Sequence, residues 1–331
     1  MKDIINKLIS HKTLSKDEAK SILINISSGK FNNSLISSFL TVFMMRNITL
    51  EELQGFKEAL LELCISIDLS DYNTIDLCGT GGDNKDTFNI STLSAFITAG
   101  AGVKVTKHGN YGVSSTCGSS NVLENLGIKF SNDNEFLKTC IEKSGICILH
   151  APLFHPAMKH VAPIRRELGL KTFFNILGPL VNPSFPKNQI VGVFNLELAR
   201  LYSYLFQKTK KNYSIIFSLD GYDEISLTGS TKIISRKQEN IYSPKNLGFK
   251  TLTQKSICGG KTIGESAKIF INVLSNKGTI SQKNVVIANS GLAISTALEV
   301  PILEGIERAK ESLISGKALE SFYNLKKLSA S

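Results

Sequence analysis

The chain has no C-x-x-C pair; its six cysteines, at 64, 78, 117, 140, 147 and 258, are scattered. That scatter argues against a zinc knuckle and a disulfide framework, and it fits a reducing cytoplasm. No long hydrophobic run stands in the N-terminal region, where Val42 to Met45 is the longest unbroken one, far short of a membrane span. The opening Met1-Lys-Asp-Ile-Ile-Asn6 is charged and soon polar again, unlike a secretory signal. Repeats of fixed period and low-complexity linkers are missing too. The nucleoside-triphosphate loop, Gly-x4-Gly-Lys-Ser/Thr, is absent because the glycine-rich stretch lacks its lysine. The dinucleotide pattern fails as well, since Phe88 and Asn89 stand in the region of its third glycine.

At 331 residues, 42% hydrophobic and 20% charged, the composition is that of an ordinary globular protein with room for a large domain and a smaller one. A net charge of +10 is compatible with nucleic acid or with a polyanionic small substrate. The tight clusters Lys208-Thr-Lys-Lys211 and Lys326-Lys327 carry no interleaved aromatics or arginines. They read as solvated surface, so neither nucleic acid nor a membrane is an expected partner.

Residues 1 to about 70 read as helices only. Ser15-Lys-Asp-Glu18 and Thr49-Leu-Glu-Glu52 are capping boxes, and Asn33 to Met45 carries no charge and is apolar nearly all round. Such a helix belongs to a domain core or a subunit interface. From about 74 strands alternate with helices, the mark of a parallel α/β sheet.

The chain is organised around Thr74 to Thr92. Ile75 to Cys78 reads as a buried strand, Gly79, Gly81 and Gly82 as a turn, and Asn89, Ser91 and Thr92 as helix N-cap types. Strand, glycine turn and helix start make an anion site from backbone N–H groups and a helix dipole. Asp83, Thr87, Asn89, Ser91 and Thr92 add groups suited to a phosphate, sugar hydroxyls and a hydrated metal ion. Val103 to Gly109 with the Gly- and Ser-rich run Asn110 to Asn121 repeats that logic, with Lys107 at the strand end placed to reach a phosphate. Two such loops at adjacent strand ends face one crevice.

Further on, His150, His155 and His160 fall in eleven residues, but Pro152 and Pro156 interrupt them and loop and cap roles are expected rather than a metal site. Arg165 or Arg166, in a basic helix, is able to bind a carboxylate bidentately. Asp220, Asp223 and Glu224 cluster past the strand Tyr213 to Ser218. Asp223 and Glu224 share one site only if the chain turns, as Gly221 allows; otherwise each carboxylate holds its own ion or faces water. Oxygen ligands beside phosphate point to Mg²⁺.

Taken in order, these motifs resemble those of the anthranilate phosphoribosyltransferase family. Asp76 to Asp83 with Thr87 to Thr92 is similar to its ribose-diphosphate loop, and Lys107-His-Gly-Asn110 with Val113-Ser-Ser115 to its second loop. His155 to Pro163, Arg165 to Gly169, Phe174 to Pro179 and Asp223-Glu-Ile-Ser226 complete the set.

The resemblance implies a small helical domain, residues 1–72 completed by helices near 163–185. The remainder, 73–331, is a larger α/β domain with a mostly parallel central sheet flanked by helices. It implies transfer of the phosphoribosyl group from 5-phosphoribosyl 1-diphosphate to anthranilate in tryptophan biosynthesis, with one or two Mg²⁺ ions, in a cytoplasmic homodimer joined through the helical domains. Carried over by position, phosphoribosyl diphosphate falls to Gly79, Gly82, Asp83, Thr87, Asn89, Ile90, Ser91, Thr92, Lys107, His108, Gly109, Asn110, Tyr111, Gly112, Val113, Ser114, Ser115 and Ser119. Gly79, Asn110 and Arg165 fall to anthranilate, and Ser91, Asp223 and Glu224 to the metal. Lys107 is the expected catalytic group, stabilising the departing diphosphate. Tyr111 and Asn121 depart from the Arg and Asp that members commonly carry, and Cys78 and Cys117 stand where other small residues are usual. Two rivals remain: a pyrimidine-nucleoside phosphorylase, which the fold resembles, and a non-catalytic nucleic-acid-binding relative.

Overall fold

The computed structural model describes residues 1–112 and 117–330; Val113, Ser114 and Ser115 of the expected site lie outside them. Four helices open the chain, Lys2–Ile9, Lys16–Ser27, Asn33–Met45 and Leu50–Glu62. Both expected capping boxes form: Ser15 accepts from the Glu18 amide and Thr49 from the Glu52 amide, with each glutamate answering back. Glu52 is fully buried and also accepts from Leu14 N at 2.9 Å and from the Arg46 guanidinium. Burial alone would raise its pKa, but the Arg46 hydrogen bond and the two amides outweigh it and hold the carboxyl below its ordinary value.

The helix Asn33–Met45 buries Ile36, Phe39, Leu40 and Phe43 but leaves Met45 82% exposed, with Ser34, Ser38 and Thr41 also outside. Its uncharged face is therefore half core and half surface in this chain.

Seven strands form one sheet in the order β3-β2-β1-β4-β5-β6-β7: β1 Ile75–Gly79, β2 Val105–Gly109, β3 Ile146–His150, β4 Asn188–Gly192, β5 Asn212–Ser218, β6 Thr231–Ser235 and β7 Glu239–Tyr242. The first five are parallel, and β6 and β7 run antiparallel at one edge. After β1 the chain winds outward through β2 and β3, then returns to place β4 on the other side of β1. The crevice at that reversal is where open α/β sheets take ligands.

Two cores flank the sheet. On one side the helices Ile90–Gly100, Ile280–Leu298, Ile302–Ile314 and Lys317–Ala330 form a layer over β1 to β5, with Ile280–Leu298 on β4 and β5. The helix Ile90–Gly100 is buried on nearly every side, and it is tied to its neighbours by hydrogen bonds: Ser312 donates to Ile97 O at 2.8 Å and Ser94 to Val286 O at 3.3 Å. On the other side the N-terminal helices share a core with residues 157–181, the helix Leu196–Gln207 and the facing residues of β4 to β6. Phe173 is its aromatic centre, stacked on Phe56 at 4.5 Å and on Phe174 at 4.6 Å, with Phe39 and Phe43 around it. Among the described residues no single helix is long and apolar enough to cross a membrane.

Candidate active site

Ile75 pairs with Val105 and with Asn188, so Gly79, Gly109 and Gly192 end level at the C-terminal rim of the sheet. Past β1 the chain turns through Gly81 (φ 62°) and Gly82 (φ 80°), and Thr80 N donates to Gly192 O at 2.8 Å. The rim is tight. A Cβ on Gly192 would lie 1.6 Å from the Asp223 carbonyl, and one on Gly79 would lie 2.4 Å from an Asp223 carboxylate oxygen. Glycine is required at 192 because the backbone of the loop after β5 lies across it, whereas a side chain at 79 would displace the Asp223 carboxylate.

That loop is held in detail. Ser218 Oγ donates to Glu224 O at 2.6 Å, and buried Asn289 grips Ile225, accepting from its N–H at 3.0 Å and donating to its carbonyl at 2.9 Å. Asp223 Oδ2 then accepts from Gly81 N at 2.8 Å, and Glu224 Oε1 from Ser91 N at 3.2 Å. Asp223 and Glu224 thus meet the first loop from two sides. Asp220 does not join them; it turns back to accept from Thr228 Oγ1 beside Gly229. The carboxylate that does sit beside Asp223 is Asp83, whose Oδ1 accepts from Lys85 N at 3.0 Å.

From β2, Lys107 projects between the same groups. It is 3% exposed, and its Nζ donates to Leu77 O at 2.6 Å and lies 3.4 Å from Ser91 Oγ. Burial raises the Asp223 carboxyl to about 7, with the Asp83 charge adding to it. Burial likewise pushes Glu224 well up, against the pull of Lys107. Carboxylates, a serine hydroxyl and an ammonium around backbone amides form a hard-oxygen site for a cation and an anion together. Among the described residues no three His, Cys, Asp or Glu side chains converge as a ready metal cage. Mg²⁺ needs none, since it keeps waters and shares its ligands with substrate phosphates.

The Asp223 shift has a thermodynamic consequence. An ordinary aspartate titrates near 3.8, so between there and about 7 the folded chain binds a proton that the unfolded chain has lost. This contribution to stability is complete below the unfolded value and is lost as pH rises through 7. Without added metal, the parent protein should lose several degrees of melting temperature relative to Asp223→Asn between pH 5 and 8. Parallel melting curves for the two proteins across that range would contradict the assignment.

The second loop is closed by Asn121, whose Oδ1 accepts from Gly112 N at 2.9 Å and Gly118 N at 3.1 Å. The amide therefore supplies the carbonyl-type acceptor that Asp would, without the charge. Tyr111 lies against the helix Ser119–Asn125 and β3: its hydroxyl donates to Glu124 at 3.2 Å and its ring meets His150 edge-on. Asn110 is exposed, while its carbonyl accepts from Ser119 Oγ and Ser120 N. A Cβ on Gly109 would approach Ser119 Oγ to 2.6 Å. Asn89 ties the two loops, donating from Nδ2 to Cys117 O at 3.1 Å. Ile90 and Thr92 are buried in the first turn of their helix, and Thr87 bridges to Cys258. His108 is also buried, with Nδ1 on Gly178 O and Nε2 unpartnered among the described residues.

The three histidines between 150 and 160 part ways. His150 bonds Ser120 and stacks on Phe130, His155 bonds Val181 O, and His160 packs against Gly29. Arg165 sits in the helix Ala162–Leu168, with Nη2 donating to Asn175 Oδ1 at 3.1 Å, its guanidinium 5.4 Å from the Phe174 ring and Nε unpartnered. Burial lowers its pKa to about 10, so it stays charged at neutral pH. A cavity of about 330 Å³ lined by Arg236, Gln238, Tyr242 and Glu299 opens at the far end of β5, away from all these groups.

Gly192, Asn289 and Lys171 have no place in the motif reading. A glycine inside the apolar run Ile190 to Phe194 was the available signal for the first; the other two are single polar residues with no pattern around them.

A helical bundle leading into a parallel sheet, with a glycine loop facing paired carboxylates, is the plan of a two-domain glycosyltransferase. Two family descriptions match in tandem: "Glycosyl transferase family, helical bundle domain" over residues 2–64 and "Glycosyl transferase family, a/b domain" over residues 71–319. The chain belongs to the anthranilate phosphoribosyltransferase family. It is 68% identical over 329 residues to the anthranilate phosphoribosyltransferase of Flavobacterium psychrophilum, covering 99% of this chain and 100% of the relative. The Flavobacterium johnsoniae enzyme is 66% identical over the same span, with the same coverage. Among solved structures, the Thermus thermophilus enzyme aligns with a TM-score of 0.90 at 29% identity, over 99% of both chains. The Saccharomyces cerevisiae enzyme in complex with PRPP and Mg aligns at 0.91 and 28% identity, over 98% of this chain and 96% of that one.

Proposed function

We infer that this protein transfers the phosphoribosyl group of 5-phosphoribosyl 1-diphosphate to the amine of anthranilate, giving N-(5-phosphoribosyl)anthranilate and diphosphate in tryptophan biosynthesis. The observation that carries the reading is the meeting of Lys107, Ser91, Asp223 and Glu224 at one sheet rim, in a chain 68% identical to a relative of that name. The amine nitrogen bonds to the ribose anomeric carbon as the bond from that carbon to the diphosphate oxygen breaks, and the amine then loses a proton.

As the bond breaks, positive charge grows on the sugar and negative charge on the leaving group. The amides of the glycine loop, the first turn of the helix Ile90–Gly100 and the Lys107 ammonium face that leaving group. Asp223, Glu224 and Ser91 would hold Mg²⁺, which neutralises the diphosphate when bound. The aromatic amine is nucleophilic as it stands, so a strong base is not needed. Burial keeps His108 near 3 and His155 near 4, which makes both poor bases. Anthranilate falls between Gly79, Asn110 and Arg165, with its carboxylate toward the guanidinium. The subunits pair through the helical bundle.

Incubating the protein with both substrates and Mg²⁺, with mass spectrometric detection of the product, tests the reading; an unchanged substrate mixture contradicts it. Arg165→Ala should raise the KM for anthranilate about tenfold or more while changing that for phosphoribosyl diphosphate little. Equal shifts in both constants would assign Arg165 to structure rather than to anthranilate.

A further inference from the structure

Between the helix Ala162–Leu168 and the helix Phe174–Leu177 runs a short linker whose first residues have little of their own to rest on. Gly169 has φ 61° and meets no neighbour where a Cβ would stand, and Leu170 is 52% exposed. Lys171 is the linker's hold on the glycine loop. Its Nζ donates to the Gly82 carbonyl and to Asn84 Oδ1, the latter at 2.6 Å. Its stem also lies along the glycine loop, with Cδ and Cε 3.4 and 3.5 Å from the position a Gly82 Cβ would take.

The loop needs such support. Gly81, Gly82 and Asn84 all have positive φ, and Asn84 pays a steric cost for it that glycine does not. On the sheet side Asp223 pins Gly81 N; on the opposite side Lys171 pins Gly82 and Asn84.

From Lys171 the contacts continue into the other half of the site. The next residue, Thr172, donates its N–H to Asn175 Oδ1 at 3.2 Å, and the same oxygen accepts from Arg165 Nη2 at 3.1 Å. Phe173, between them, is locked in the aromatic core of the helical bundle. Hydrogen bonds at both ends, joined by the backbone from Lys171 to Thr172, therefore link the glycine loop through Asn175 to Arg165. Such a path transmits an effect only if its elements move together.

We propose that Lys171 is a positioning residue that couples the two substrate subsites, holding the diphosphate loop and the Arg165 helix in one arrangement. The proposal rests on the functional reading above. An ammonium serves here because it donates to a carbonyl and an amide oxygen at once while its stem packs on glycine. Methionine keeps the stem and removes the donors; arginine keeps the charge and the donors.

The full-length parent, Lys171→Met and Lys171→Arg are compared in steady state with both substrates varied, and by hydrogen exchange without substrates. In Lys171→Met both KM values should rise about tenfold while kcat changes far less, and the amides of 80–86 should exchange faster. Lys171→Arg should recover most of both effects, which a loss of packing alone would not allow. Unchanged KM values, a rise in only one of them, or unchanged exchange in 80–86 would overturn the proposal. If the parent itself transfers no phosphoribosyl group, the functional reading fails, and the exchange arm still decides whether Lys171 holds the loop.

Discussion

Lys107→Met should lower kcat/KM by about a hundredfold to a thousandfold while the protein stays folded. The expectation comes from where the ammonium sits. Lys107 is the third residue of β2, buried at the sheet rim, with Nζ on Leu77 O and beside Ser91 Oγ. Its charge also acts on Glu224 and on buried Asp76, opposing the burial that raises both carboxyls. Methionine fills nearly the same volume, so the rim keeps its packing and loses only the charge and its donors. The departing diphosphate would then lack a cation that is already in place before the bond breaks. The check is rate against melting temperature: a large fall in rate with a small fall in melting temperature supports the role. A rate loss matched by unfolding would reduce Lys107 to structure.

As a control, Lys208 and Lys210 changed together to Ser should leave turnover intact, since both are on the surface. Lys211, the third lysine of that cluster, is not a solvated surface residue as its sequence context suggests. Burial lowers its pKa to about 8, and Nζ lies 3.3 Å from Gln189 Oε1.

The second large effect is expected at the carboxylate pair. Asp223→Asn and Glu224→Gln should each lower turnover at least tenfold at low Mg²⁺, with part of the loss recovered by raising Mg²⁺. Both side chains accept from backbone amides that the neutral amide oxygens also satisfy, Gly81 N and Ser91 N, so the loops stay placed. What changes is the charge available to a cation. Parental rates for both variants at low Mg²⁺ would remove these residues from the metal site. A loss that no Mg²⁺ concentration relieves would make them supports of the two loops alone.

The strand, glycine turn and helix start of the first loop were legible as one local pattern, although Asn89 at the N-cap makes no side-chain cap bond; of the second loop the strand and the helix beginning after Gly118 were legible in the same way. The capping boxes at Ser15 and Thr49 were legible for the same reason. β4 was not, although it lies at the centre of the sheet beside β1. It opens on Asn188 and Gln189, polar residues that are each 1% exposed. Asn188 donates to Asn73 and the Thr74 carbonyl, and Gln189 to the Pro179 carbonyl, partners that no local pattern reveals. The helix Ile263–Leu274 carries no motif that marks it either, although Thr262 caps it by accepting from Glu265 N. Among the acidic residues, proximity in sequence misled. Asp220 is three residues from Asp223 but points to Thr228, whereas Asp83, 140 residues away in the chain, lies beside it.

The central claim is that one crevice transfers a phosphoribosyl group to anthranilate. Anthranilate fluorescence, followed together with diphosphate release, tests it most directly. Fluorescence should fall only when phosphoribosyl diphosphate and Mg²⁺ are both present, with one diphosphate released for each anthranilate consumed. Steady fluorescence under those conditions would contradict the claim, and phosphorolysis of a pyrimidine nucleoside by the same preparation, or oligonucleotide binding that persists at physiological salt, would say which rival replaces it.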